Sequence, residues 1–419
     1  MTAPDGRVSA TAWRLLAVLT LLNVLNFVDR QLIAALAPLL IAELGLTRAQ
    51  VGLLAGFAFV LFYTLAGLVL GVVADRSHRI RLITLGLALW SGMTALSGLA
   101  RSFVHLAAAR VLVGIGEATL TPAALSILGD VFPVGRLAMA TGVYYAGIPL
   151  GTALSLIVSG WMAPRYGWRA CFYALGVVGL FVVAAMLVVP DPARRGRPRG
   201  ETPRPSLGGL VRGQARALRR VPALGLTIAG GTALAFWAAA NILAVTWLVE
   251  ERAFSFARAA FTAGAIAVPA GFLGNLAAGW FADWCQRRWR GGRLWSLVAM
   301  TAALVPIAVA FVLMPVGSLL FFVCWFFTSA STTAWFGPVF AAIQELAPPQ
   351  GRSTMVAFGL LTLNLLGVGP GAWITGMIGD GASLTRGLLL AAGVELLAVV
   401  PLALAALRYE RDRETAASL

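Results

Sequence analysis

The chain has 419 residues, of which 59% are hydrophobic and only 12% charged, and its mean hydropathy is +0.86. A soluble domain carries about twice that charged fraction, so the composition excludes a soluble enzyme and points to a polytopic membrane protein. The net charge of +15 falls in short loops between apolar runs, a distribution that fits membrane topology and not nucleic-acid binding.

The first apolar run, from about Trp13 to Ile41, holds Asn26-Phe27-Val28-Asp29-Arg30 near its middle. Each charge at the centre of a spanning helix costs roughly 2.5–3.5 kcal/mol on insertion scales, so two adjacent ones read as functional. The run is too long for the core of a signal peptide, and Met1–Ala12 lacks a cleavable signal pattern, so the segment is expected to remain as a span. Apolar runs of about 20 residues then recur, predicting spans at 13–41, 49–74, 82–100, 104–129, 138–162, 169–189, 223–249, 259–282, 294–314, 318–344, 354–378 and 387–407. Residues 190–222 break the rhythm. They are rich in Pro, Gly and Arg and read as a flexible, partly interfacial linker. The expected organisation is a six-helix bundle over 1–189, the linker over 190–222 and a second six-helix bundle over 223–419.

All 32 basic residues are arginine, which suits a GC-rich bacterial genome. Of these, 23 fall in segments on the side of the termini and seven on the other, while Arg30 and Arg110 lie inside spans. The positive-inside rule therefore predicts both termini in the cytoplasm of a multi-pass protein of the bacterial inner membrane. Cys171, Cys285 and Cys324 are far apart and show neither metal-ligand nor disulfide spacing.

The halves repeat. Gly71-x-x-x-Asp75-Arg76-x-x-Arg79 follows the second span, and Gly279-x-x-x-Asp283-x-x-x-Arg287 follows the eighth. Pro133-x-Gly-Arg136 follows the fourth, and Pro349-x-Gly-Arg352 follows the tenth. Asp75 to Asp283 is 208 residues and Arg136 to Arg352 is 216, nearly one offset, which indicates an internal duplication. Six plus six spans in parallel is a secondary-transporter arrangement, with binding at the midplane between pseudo-symmetric bundles.

The loop after the second span is similar to the signature loop of the major facilitator superfamily. Gly71 there permits close helix approach, while Asp75, Arg76 and Arg79 offer charges for a cytoplasmic gate. Asp130, Arg136, Asp283 and Arg352 join that gate. The plain alternative is ordinary positive-inside charge.

In the fourth span, Arg110 and Glu117 are seven residues apart, on one helix face and about 10.5 Å apart along the axis. Asp29 and Arg30 fall at a depth between them if the first and fourth spans are neighbours. The four charges sum to zero, which makes a shared cluster tolerable in lipid; a purely structural lock between helices is the alternative. On the first helix Asn23, Asn26 and Arg30 form one stripe and Asp29 lies beside it. Arg30 is thus expected to face a cavity and Asp29 a neighbouring helix. Arginine forks donors at a phosphate or carboxylate. Burial favours a protonated aspartate and a nearby arginine the ionised one. An anionic substrate drawing Arg30 or Arg110 away would therefore let Asp29 take a proton.

The fifth span, Gly142-Val-Tyr144-Tyr145-Ala-Gly147-Ile-Pro149-Leu-Gly151, combines small residues with a proline, which favours bending and close packing. It loosely resembles the superfamily's antiporter motif without its adjacent Gly-Pro. Tyr144, Tyr145, Trp237, Asn241, Thr328, Thr332 and Asn364 are expected to wall the cavity for an amphiphile, with packing stripes as the alternative. Glu395 sits in mid-span of the twelfth helix with no evident role.

Taken together, Asn26-Phe27-x-Asp29-Arg30, the Gly71–Arg79 loop, Arg110-x-Leu-Val-Gly-x-Gly-Glu117-Ala, Pro122, Ile127-x-x-Asp130-x-Phe132 and Ile148-Pro149-x-Gly151 resemble the Spinster family of the major facilitator superfamily. The resemblance covers the first half; the second resembles the superfamily pattern only. It implies an all-α membrane protein, a twelve-helix rocker carrying lysolipids or sphingosine-phosphate-like amphiphiles with protons. It makes Asp29 and Glu117 the proton-coupling pair, and Arg30, Arg110 and Asn26 the headgroup and charge network. The partners expected are an anionic amphiphile, protons and the bilayer, in a monomer with no cofactor, no metal and no nucleic acid. A symporter of small organic anions or a multidrug exporter is the alternative within transport. An enzyme or a non-transporting receptor on the same fold is the alternative outside it.

Overall fold

The computed structural model describes residues 8–192, 207–348 and 352–418. Among them, twelve helices are long and apolar enough to cross a membrane. In chain order, as the first to twelfth spans, they are Ala10–Leu44, Arg48–Gly71, Arg79–Ser97, Phe103–Val131, Met139–Tyr166, Trp168–Met186, Pro222–Glu250, Phe256–Arg288, Gly292–Leu313, Leu319–Leu346, Thr354–Gly381 and Leu384–Ala417. The number and order are those expected.

Local signals set the ends. Ser9 caps the first span through its side chain, accepting from the backbone N–H of Ala12 at 3.2 Å. Gly45, at φ 63°, closes it in the left-handed conformation that glycine adopts without penalty. Thr47 and Gln50 form a reciprocal capping box that starts the second span two residues later. Ser318 and Ser383 cap the tenth and twelfth spans in the same way.

Prolines break several spans. The fourth is interrupted at Ala118–Thr119 ahead of Pro122, whose ring excludes the carbonyl four residues back and whose nitrogen cannot donate to it. The tenth is interrupted at Trp335 ahead of Pro338. Pro122 and Pro338 are 216 residues apart, the same offset that separates Arg136 from Arg352, so a third landmark supports the duplication. The fifth span bends at Ala146 ahead of Pro149, as its composition led us to expect. Its Gly151 then lies so close to the first span that an added Cβ would sit 2.4 Å from the carbonyl oxygen of Val24. Among the described residues nothing approaches Gly71 closely. A Cβ there would meet nothing within 4 Å, whereas one at Gly86 would meet the Gly116 carbonyl at 2.6 Å. Close packing in this half therefore includes the first span against the fifth and the third against the fourth.

The linker also differs from expectation. Leu207–Arg220 is an α-helix. Between Pro205 and Pro222 there is no proline, and Leu210, Gln214, Ala217, Leu218 and Val221 recur there at helical spacing. Ala217 and Val221 are buried against the seventh and twelfth spans, while Arg216, Arg219 and Arg220 stay exposed. The seventh span starts beside them, with Asp412 accepting from the Ala223 N–H at 2.6 Å.

Two compact units emerge from the contacts. One comprises Met1–Gly200 with Leu248–Val268, the other Glu201–Trp247 with Pro269–Leu419. In the first unit the first span packs along the fifth and the third along the sixth. In the second, the seventh packs against the eleventh and twelfth.

Candidate functional site

Asp29 and Arg30 are neighbours in sequence, but their side chains diverge. Asp29 is 2% exposed. One carboxylate oxygen accepts from the Thr94 hydroxyl of the third span, and the other lies 3.6 Å from Arg110 Nη1 on the fourth. Arg110 also donates from Nη2 to the Asp29 carbonyl at 3.0 Å. Arg30 turns to Glu117, with Nη2 3.2 Å and Nε 3.4 Å from the same carboxylate oxygen. Its side chain keeps 26% exposure while that of Glu117 has none. The four charges expected to cluster do so, as two pairs one above the other on the fourth helix. The seven-residue spacing of Arg110 and Glu117 matches the reach of two adjacent side chains pointing apart.

The guanidinium of Arg30 is also enclosed by rings. Its Cζ lies 4.7 Å from the centroids of Phe27 and Phe59 and 4.6 Å from that of Tyr63. Phe59 is shared with Arg110, at 6.0 Å. Aromatic faces stabilise a cation by about 0.5–2 kcal/mol each, depending on solvation. They hold the half-exposed arginine in place. Asn26 Nδ2, Asp29 Oδ1, Arg110 Nη1 and Glu117 Oε1 are buried without a hydrogen-bond partner. A buried network with unused donors and acceptors carries a cost, and ionisable groups within a span are costly to keep there. Asn23, by contrast, is satisfied, donating to the Tyr144 carbonyl at 2.8 Å.

The expected wall residues divide. Tyr145 is 39% exposed, and Asn241, Thr332 and Asn364 are half-buried. Tyr144, Trp237 and Thr328 are buried, being at most 1% exposed. Trp237 donates to the Ser331 hydroxyl at 3.1 Å, tying the seventh span to the tenth. Tyr144 lies with its hydroxyl 3.3 Å from that of Thr121. Helical spacing identifies a shared face but not which face a neighbouring helix covers, so packing and cavity stripes look alike in sequence.

Of the expected gate, Arg79 is the centre. Fully buried, it pairs with Asp130 at the end of the fourth span. It also binds Asp191 through side chain and backbone N–H, the latter at 2.8 Å, and donates to the Pro192 carbonyl at 2.7 Å. His78 adds a contact to Asp191 at 3.2 Å. Asp75 and Arg76 end their helix, and their side chains lie outside what is described. Arg136 and Arg352 are exposed in the first turns of their helices. In the second unit Asp283 binds Arg293 at 2.7 Å. Arg293 in turn pairs with Glu345, which accepts from Tyr409 at 2.6 Å. Arg79 and Arg293 stand at the starts of the third and ninth spans and Asp130 and Glu345 at the ends of the fourth and tenth, so the two pairs occupy equivalent places in the two halves.

The sequence profile of the Major Facilitator Superfamily matches residues 19–372. The chain belongs to the major facilitator superfamily. Over 415 residues it is 32% identical to an MFS-type efflux pump of Mycolicibacterium smegmatis, covering 96% of this chain and 94% of that one. It is 26% identical to the mouse sphingosine-1-phosphate transporter SPNS2, covering 87% and 69%. Among solved structures it superposes on a bacterial homologue of the human lysosomal transporter Spinster, in an inward-facing and unoccupied conformation. There the TM-score is 0.78 with 26% identity, over 98% of both chains. A D-xylose–proton symporter, 15% identical with a TM-score of 0.70, shares the fold alone. This member of the superfamily is thus a Spinster-like secondary transporter and not an enzyme.

Sequence reasoning missed Thr94, Phe59 and Tyr63 in the charged site, and Asp191, Arg293 and Glu345 in the charge clusters at the helix ends. The repeat offsets of 208 and 216 lead from Arg79 to Arg287 and Trp295 and from Asp130 to Pro338 and Leu346, so Arg293 and Glu345 were not reached from the sequence. Nothing in the sequence marks Thr94 or Phe59 among many similar residues.

Proposed function

We propose that this transporter moves an anionic amphiphile, of the lysophospholipid or sphingosine-phosphate type, by alternating access coupled to protons. The observation that carries the proposal is Arg30: half-exposed, ringed by Phe27, Phe59 and Tyr63, and paired with the buried Glu117. An anionic headgroup engages the guanidinium as a two-pronged acceptor. The surrounding rings suit the apolar stem next to it. Drawing Arg30 from Glu117, or Arg110 from Asp29, leaves a buried carboxylate without its counter-charge. Such a group takes a proton in preference to remaining ionised. Asn26, with a free amide donor, adds a contact to the headgroup. In this reading the termini and the Arg79–Asp130 and Arg293–Glu345 pairs lie on the cytoplasmic side of a bacterial plasma membrane, where the pairs fasten one conformation as a gate. The protein acts as a monomer.

The likeness to an efflux pump favours a second reading, in which the cargo is a drug-like compound carried outward. The discriminating experiment measures binding and flux in liposomes for lysophospholipids, organic acids and cationic drugs at two pH values. The proposal requires saturable, pH-gradient-dependent flux of the anionic amphiphiles. Flux confined to cationic drugs sinks it.

A further inference from the structure

Among the described residues the second unit buries two carboxylates that the helix-end pair does not use: Asp412, which accepts from the Ala223 N–H, and Glu395. Glu395, in the middle of the twelfth span, is 2% exposed, and its Oε2 has no hydrogen-bond partner. It lines a small, partly open cavity of about 10 Å³, the room of one water. The other lining residues are the hydroxyls of Thr301 and Ser331, the ring of Trp335, and Leu, Met and Ala side chains. Ser331 is itself oriented: it accepts from Trp237 and donates to the Thr328 carbonyl at 2.8 Å.

No lining residue other than Glu395 titrates or carries charge. The helices packed on this part of the twelfth span are the seventh, ninth and eleventh, and the tenth contributes to the cavity. Their described charges stand near their ends: Glu250 on the seventh, Arg293 on the ninth, Glu345 on the tenth, Arg352 and Asp380 on the eleventh. Arg293 is engaged by Asp283 and Glu345. Cys324 on the tenth lies seven residues, about 10.5 Å, before Ser331. On the twelfth span itself Arg386 is nine residues before Glu395 and Arg408 thirteen after, roughly 13 Å and 20 Å along the axis. An ionised Glu395 therefore has no counter-charge in reach, and an isolated buried carboxylate neutralises by binding a proton. The free Oε2 and the water-sized space beside it give that proton a route of exchange.

We propose that Glu395 is a second proton-binding site of the transporter, located in the second unit and exchanging its proton through the cavity it shares with Thr301 and Ser331. The step is the simple one: the carboxylate takes a proton from water to become the neutral acid, and returns it when the cavity admits water. This is a different group from Asp29 and Glu117, and it does not depend on their role.

The test is infrared spectroscopy of the protein in liposomes across a pH series, for wild type and Glu395→Gln, with carboxyl-labelled glutamate used to assign the band in the unmutated chain. At neutral pH, Glu395→Gln should lose one protonated-carboxyl band that the wild type shows and that labelling shifts. At alkaline pH that band should convert to carboxylate in the wild type. The same band should persist in Asp29→Asn, so loss of proton coupling at the first unit leaves this measurement intact. A carboxylate signal for Glu395 at neutral pH overturns the proposal, as does an acid band that never responds to alkaline pH. Loss of the acid band on replacing potassium by sodium also overturns it, by making the site one for a metal cation.

Discussion

In the first half the fourth span breaks ahead of Pro122 and carries Arg110 and Glu117; in the second, the tenth span breaks ahead of Pro338 and has Phe326 and Thr333 at the positions 216 residues on. Asp29 and Arg30 likewise have only Val245 and Thr246 at that offset. The helix-end charges were kept through the duplication, since Arg79–Asp130 and Arg293–Glu345 match, while the mid-span charges were kept in one half alone. A helix-end pair keeps part of its charge accessible, Asp130 at 19% and Glu345 at 29% side-chain exposure, which lowers its cost. A mid-span pair costs several kcal/mol per ion and persists only where it is used. The second half is then free to bury Trp237, Thr328 and Ser331 as neutral packing and hydrogen bonding, with Glu395 as its single unpaired acid at mid-depth among the described residues.

That contrast yields outcomes in descending size. Asp29→Asn should reduce pH-gradient-driven uptake in liposomes to background while the protein remains folded by size-exclusion and thermal melting. Retained coupling would remove the proton role from the first unit. Arg110→Ala leaves Asp29 buried with only Thr94 as partner, and breaking a buried pair costs about 3–5 kcal/mol. It should lower thermal stability clearly and weaken binding of anionic ligands at least tenfold more than neutral ones; equal losses would assign it to structure. Phe59→Leu removes one ring face worth about 0.5–2 kcal/mol from Arg30. It should weaken anionic-ligand affinity by roughly 2- to 30-fold in a titration without altering the proton dependence. Trp237→Phe deletes one neutral hydrogen bond, a loss of about 1 kcal/mol. It should shift the melting temperature slightly and leave ligand selectivity unchanged. A change of selectivity here would restore Trp237 to the binding wall.

Much of this was visible from residues alone. The number of spans follows from run length, and the duplication follows from Asp75, Asp283, Arg136 and Arg352. The Asp29–Arg30 and Arg110–Glu117 network follows from the energetic cost of charge in lipid, which makes such residues conspicuous. The aromatic cage and Thr94 were not visible, because a phenylalanine or threonine within an apolar span costs nothing unusual. Asp191 escaped notice because it lies in a charged, proline-rich stretch whose return to the third span is a tertiary fact.

The sequence by itself determined that this chain crosses a membrane twelve times, that its halves are copies, and which four mid-span charges belong together. The tertiary structure decided who pairs with whom. Asp29 goes to Arg110 and Thr94, and Arg30 to Glu117 and three rings. It also decided that Tyr144, Trp237 and Thr328 are interior. The physical reason is that hydropathy and helical period act along one helix, whereas burial and pairing depend on which faces of different helices meet.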